Sequence, residues 1–116
     1  MSLVVSRASA LDDLIAFRKP LNFLAEMVSD LGWSETPAAV LTADHIVSVL
    51  QRFRSGALTA ADVEGWADLI ECREDIDYQS DRYEEILQAI YVLANPVLSG
   101  LPDEALTDQV IGSLLR

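Results

Sequence analysis

Glu64, Asp68, Glu71 and Asp75 follow one another at i, i+4, i+7 and i+11, a spacing that an α-helix stacks into one stripe. Carboxylates in file can do two kinds of chemistry. They can attract and pair with the lysines and arginines of a basic partner. Facing a second carboxylate pair, they can hold a divalent cation. The stripe lies in the most acidic part of the chain. From Asp62 to Glu85 there are ten acidic residues and two basic ones, Arg73 and Arg82, which is −8 of the formal net charge of −11. Residues 1–61 hold six acidic and five basic residues. The bland reading is a solvated helix face. Stacked like charges oppose it, because they cost a helix a few tenths of a kcal/mol per pair (about 0.2–0.5) and solubility alone does not require them.

The cation chemistry has weak sequence support. Asp75-x-Asp77-x-Gln79-x-Asp81 resembles the front of a calcium loop, but Ser80 stands where glycine is needed and Ile86 where the bidentate glutamate belongs. Glu71-x-x-Glu74, with Glu84 or Glu85 opposite, resembles half of the magnesium site of helical nucleotide pyrophosphohydrolases. The second half, Glu-x-x-Asp, does not follow, and no basic cluster awaits phosphates. Glycine-rich phosphate loops are lacking. His45 is the only histidine and Cys72 the only cysteine. His45 falls in the first turn of an amphipathic stretch, where a surface or capping role is expected. Cys72 follows carboxylates that raise its thiol pKa, so a poor nucleophile, partly buried, is expected. No catalytic residue, metal ligand or cofactor is expected, and the chain reads as non-enzymatic.

The bulk properties narrow the partner. A chain of 116 residues, 51% hydrophobic, can form one domain over residues 1–116 and bury a core without disulfides. A pI near 4.2 repels nucleic acid and anionic membrane surfaces, and no basic cluster exceeds Arg18-Lys19. A basic protein remains allowed, as does a homo-oligomer. A lone cysteine and a start too short for a signal-peptide core point to a cytoplasmic setting.

The elements that must position these residues read as helices throughout. Ser9 is a candidate N-cap with Asp12 at N3. Leu11, Leu14, Ile15 and Phe17 form a stripe that Pro20 interrupts. Leu21, Leu24, Met27, Val28 and Leu31 continue to Gly32, a good helix terminator. Thr36-Pro37 reads as another helix start. Thr42 is the next cap, with Ile46, Val47, Val49, Leu50 and Phe53 inward and Arg52 and Arg54 in the last turn, before Gly56. Thr59 caps a helix with Asp62 at N3. Its core face is Val63, Trp66, Ala67 and Ile70, roughly 120° from the acidic stripe at about 100° per residue. Residues 77–80 read as a turn, with Ser80 capping the next helix. That helix is expected to turn Tyr83, Ile86, Leu87, Ile90, Leu93 and Ala94 inward and to stop at Asn95-Pro96. A last helix runs from about Pro102 to Leu115. The expected fold is all-α, a compact bundle of five to six short antiparallel helices. Trp33 could cover the core edge or an interface, and Val4-Val5 could add a short extended piece.

Leu41-Thr42-Ala43 and Leu58-Thr59-Ala60 repeat one start signal, with an apolar residue ahead of a threonine cap. The second belongs to a longer segment, Phe53-Arg54-Ser55-Gly56-Ala57-Leu58-Thr59-Ala60-Ala61-Asp62, continuing to Trp66-Ala67 and Ile70-Glu71-Cys72-Arg73. This segment resembles small bacterial immunity proteins of the colicin D and contact-dependent-inhibition type. The shared features are an aromatic, a Ser/Gly turn, a Leu/Ile-Thr-Ala helix start and a helix ending in Glu and Arg. The resemblance implies a helical, acidic inhibitor that covers the basic active site of a toxin nuclease. On that basis Glu64, Asp68, Glu71 and Asp75 would bind the partner, with Asp77 and Asp81 adding to the field. Two alternatives stand beside it: a structural or homo-oligomeric helical protein, and a magnesium-dependent nucleotide pyrophosphohydrolase.

Overall fold

A computed structural model describes residues 7–31, 37–96 and 103–115. Among the described residues, six α-helices form a mostly helical bundle: α1 Arg7–Ile15, α2 Leu21–Ser29, α3 Ala43–Arg54, α4 Ala60–Glu71, α5 Tyr83–Ala94 and α6 Glu104–Leu114. The all-α expectation holds, with one addition. Strands β1 Ala39–Leu41 and β2 Ile76–Tyr78 pair in parallel, aligning Ala39 with Ile76, Val40 with Asp77 and Leu41 with Tyr78. A 3₁₀ turn, Ser80–Arg82, links β2 to α5. No helix among the described residues is long and apolar enough to cross a membrane.

The two repeated start signals fold alike. Thr42 accepts from the His45 N–H while His45 Nδ1 accepts from the Thr42 N–H at 3.0 Å, so α3 opens with a closed capping box. Thr59 and Asp62 do the same for α4. The apolar residues ahead of them, Leu41 and Leu58, are buried. Gly56, at φ +85°, ends the α3 turn in the left-handed region where glycine is at ease.

Trp66 holds the centre. It is fully buried, and its indole N–H donates to the Leu14 carbonyl at 2.7 Å. Phe17 stacks on it with ring centroids 6.3 Å apart. Phe17 is itself at φ 51°, a conformation that a non-glycine residue adopts at a cost of about 1–2 kcal/mol. Arg52 stabilises it, donating to the Phe17 carbonyl at 2.8 Å with its guanidinium over the ring. Arg52 thus caps the carboxyl end of α1 rather than serving only its own helix.

The structure corrects several expectations. Ser9 lies inside α1, which already includes Arg7, so it is not the N-cap. Pro37 leads into β1 instead of a helix. The Ala38 N–H donates to the Asp75 carbonyl at 2.8 Å and starts the parallel ladder. Asp77 and Tyr78, expected in a turn over residues 77–80, belong to the second strand of that ladder, Ile76–Tyr78. Ser80 enters the 3₁₀ turn, and α5 begins behind Arg82 without a side-chain cap. Asp103 caps α6, its carboxylate accepting from the Leu106 N–H at 2.8 Å. Val4, Val5, Gly32, Trp33, Thr36 and Pro102 lie outside the described residues.

Candidate functional site

The acidic stripe divides at the end of α4. Glu64 is half-buried, and Asp68 and Glu71 are exposed on the helix. Cys72 is the C-cap, so the helix stops before it can carry Asp75. Asp75 is 1% exposed and faces inward. Arg73 donates to both of its carboxylate oxygens, at 2.8 and 2.9 Å, and Arg7 donates to one at 2.6 Å. The same arginines reach the end of α2, Arg7 to the Leu31 carbonyl and Arg73 to the Val28 carbonyl. Asp75 is therefore corrected from a stripe residue to a buried latch joining α1, α2 and the start of the sheet. The hydrogen bonds from Arg73 hold its carboxyl below the ordinary value, against the opposing effect of burial, and Arg7 adds to the lowering.

The physical reason for the break is local. The last turn of α4 contains no basic residue, and Asp68 and Glu71 sit at its negative end, where the dipole disfavours them. Ile76 and Tyr78 gain a sheet partner by leaving the helix. Asp77 is exposed in β2 and Asp81 in the 3₁₀ turn. Cys72 is exposed rather than partly buried. Its thiol pKa is raised, first by local desolvation and then by Asp68 and Glu71. His45 has the capping role expected of it. Burial pushes its pKa down, which favours the neutral ring that the cap needs.

A second group gathers around Glu71. On α5, Ile86, Ala89, Ile90, Leu93 and Ala94 are buried, while Tyr83, Leu87 and Tyr91 are 47, 46 and 46% exposed. This corrects the inward placement of Tyr83 and Leu87. Tyr78 from β2 lies against Tyr83, with ring centroids 5.6 Å apart. Burial raises the Tyr78 pKa, with smaller contributions from Tyr83 and Glu71. Asn95, the C-cap of α5, donates to Glu71 at 3.1 Å and to the Tyr91 carbonyl at 2.8 Å, which fixes the Glu71 carboxylate beside the aromatic face. Glu71, Tyr78, Leu87, Gln88, Ile90 and Tyr91 line a shallow cleft of about 360 Å³. A sequence signal for this face was present. The apolar residues of α5 cover too wide an arc for one buried side.

No group of three or more His, Cys, Asp or Glu side chains with metal-binding geometry occurs among the described residues. Asp75 is committed to two arginines, and Glu71 to Asn95. Comparison with protein-family models, with curated proteins and with solved structures gives no match.

Proposed function

We propose that the chain is a non-enzymatic acidic binding protein whose partner is a basic protein, in the manner of an immunity-type inhibitor that covers the basic active site of a toxin nuclease. One observation carries the reading. Arg73 turns inward onto Asp75, so its charge is withdrawn from a segment in which Asp68, Glu71, Glu74, Asp77, Asp81 and Glu84 are exposed and Arg82, half-buried, is the other basic residue. An acidic surface of this kind attracts a basic partner over distance and pairs with its lysines and arginines on contact. The local resemblance to immunity proteins over residues 53–73 points the same way.

The test is inhibition and binding with a panel of purified basic toxin nuclease domains, at low and raised ionic strength. The comparison variant carries Glu64→Gln, Asp68→Asn, Glu71→Gln, Asp77→Asn and Asp81→Asn, leaving Asp75 in place. The expected result is association that salt weakens and the variant loses. Equal binding by both proteins, or binding insensitive to salt, contradicts the proposal.

A further inference from the structure

We infer that the basic partner docks on the aromatic face formed by Tyr78, Tyr83, Leu87 and Tyr91, with Glu71 fixed at its edge, and that it presents an apolar side chain among its lysines and arginines. The inference rests on the proposed basic partner and names where that partner sits.

Two features lead there. Tyr83, Leu87 and Tyr91 recur every four residues, the spacing that forms one ridge along a helix, and each is close to half exposed. A folded chain gains nothing by leaving three large apolar side chains contiguous in water, and such a patch marks an interaction surface. Secondly, the patch is ordered by its surroundings. Tyr78 braces Tyr83, and Asn95 links Glu71 to the Tyr91 backbone. A carboxylate held in advance loses little freedom on binding. Tyrosines set in such a face are the usual anchors of protein interfaces, joining apolar contact to a hydroxyl. Their rings also attract lysine and arginine.

Charge selects the occupant. Glu71 lines the cleft together with Tyr78, Leu87 and Tyr91, and Glu84, next to Tyr83 on α5, is exposed, while Arg82 on the other side of Tyr83 is half-buried. A second copy of this chain would bring the same carboxylates and a net charge of −11 against them. Nucleic acid is repelled for the same reason. A cationic protein surface complements both the rings and the rim.

Two peptides of equal positive charge test this. One is lysine alone. The other is a cationic amphipathic helix with Leu and Trp on its apolar face. Affinities are measured by calorimetry for the wild type, for Leu87→Ser with Tyr91→Ala, and for Asp68→Asn with Asp77→Asn, Asp81→Asn and Glu84→Gln. The apolar variant should keep its circular dichroism spectrum and thermal midpoint, since both side chains are half exposed. The expected result is that the amphipathic peptide loses at least about tenfold in affinity with the apolar variant, the scale of a hot-spot residue, while the lysine peptide, which has only the smaller cation–ring attraction to lose, falls by clearly less. Both should weaken with the acidic variant. If the apolar variant binds the amphipathic peptide as the wild type does while the acidic variant fails, the aromatic face is not the docking site and the acidic reading stands. If the acidic variant also binds both as the wild type does, both readings fall. Concentration-dependent dimerisation abolished by Leu87→Ser would overturn the inference by assigning the face to a second copy.

Discussion

Asp75 and Glu71 are four residues apart in one acidic run, yet they occupy opposite kinds of environment. Asp75 is buried between two arginines and holds three parts of the fold together. Glu71 is exposed at the edge of an aromatic cleft, held by an asparagine. One carboxylate is held in the interior of the fold, and the other lies at its surface. Spacing alone does not separate them. The end of the helix at Cys72 does, and Arg73 and Arg7 together hold the Asp75 carboxylate inward.

The contrast can be broken most severely at Asp75. Asp75→Ala leaves Arg7 and Arg73 without their shared carboxylate and should lower stability by about 3–5 kcal/mol, read from urea unfolding. A loss under about 1 kcal/mol would show that the latch is dispensable, since exposed pairs are of that order.

Acid should act on the same residue. Its carboxyl titrates below the ordinary value of 3.8 in the folded protein, so the unfolded chain takes up the proton first. The stabilisation is complete above that ordinary value and is lost as pH falls through the lower folded value. Asp75→Asn should therefore show a shallower loss of stability in that acid range than the wild type. Equal slopes would remove Asp75 from the account.

The capping box of α3 gives a smaller, separate effect. His45 has a folded pKa below 6.5, so its contribution is complete above 6.5 and declines as pH falls through the folded value. Protonation takes away the Nδ1 acceptor for the Thr42 N–H. His45→Ala should cost about 1 kcal/mol near neutrality, a typical cap, and should flatten the pH dependence just below 6.5. Thermal melts across that range would show it.

The smallest stability changes belong to the exposed face. Leu87→Ser and Tyr91→Ala should each shift unfolding by no more than about 0.5 kcal/mol, as surface replacements generally do. A larger loss would mean that the face is part of the core, not a surface awaiting a partner.

Much of the fold was legible in the residues. Thr42, Thr59 and Pro20 punctuate helices by local chemistry, and Val63, Trp66, Ala67 and Ile70 declare a buried face by period alone. The parallel strands were not legible. Three residues give too little alternation to register, and their pairing joins segments that are far apart in the chain. The candidate site was half legible. The acidic surface could be read from composition. The turn of Asp75 into the interior depends on Arg7, 68 residues away, which no local pattern reveals. Tyr83 and Leu87 misled for the opposite reason. They fit an apolar stripe, but the buried side of α5 was already filled by Ile86, Ala89, Ile90 and Leu93.

The most direct test sets two conservative variants side by side, Asp75→Asn and Glu71→Gln, each measured for unfolding free energy and for affinity to the cationic amphipathic peptide. Asp75→Asn should lose much of the stability that the latch provides. Glu71→Gln should keep near-native stability, within about 0.5 kcal/mol, and bind the peptide more weakly. Equal stability changes in the two variants, or native peptide affinity in Glu71→Gln, would contradict the division of roles between them.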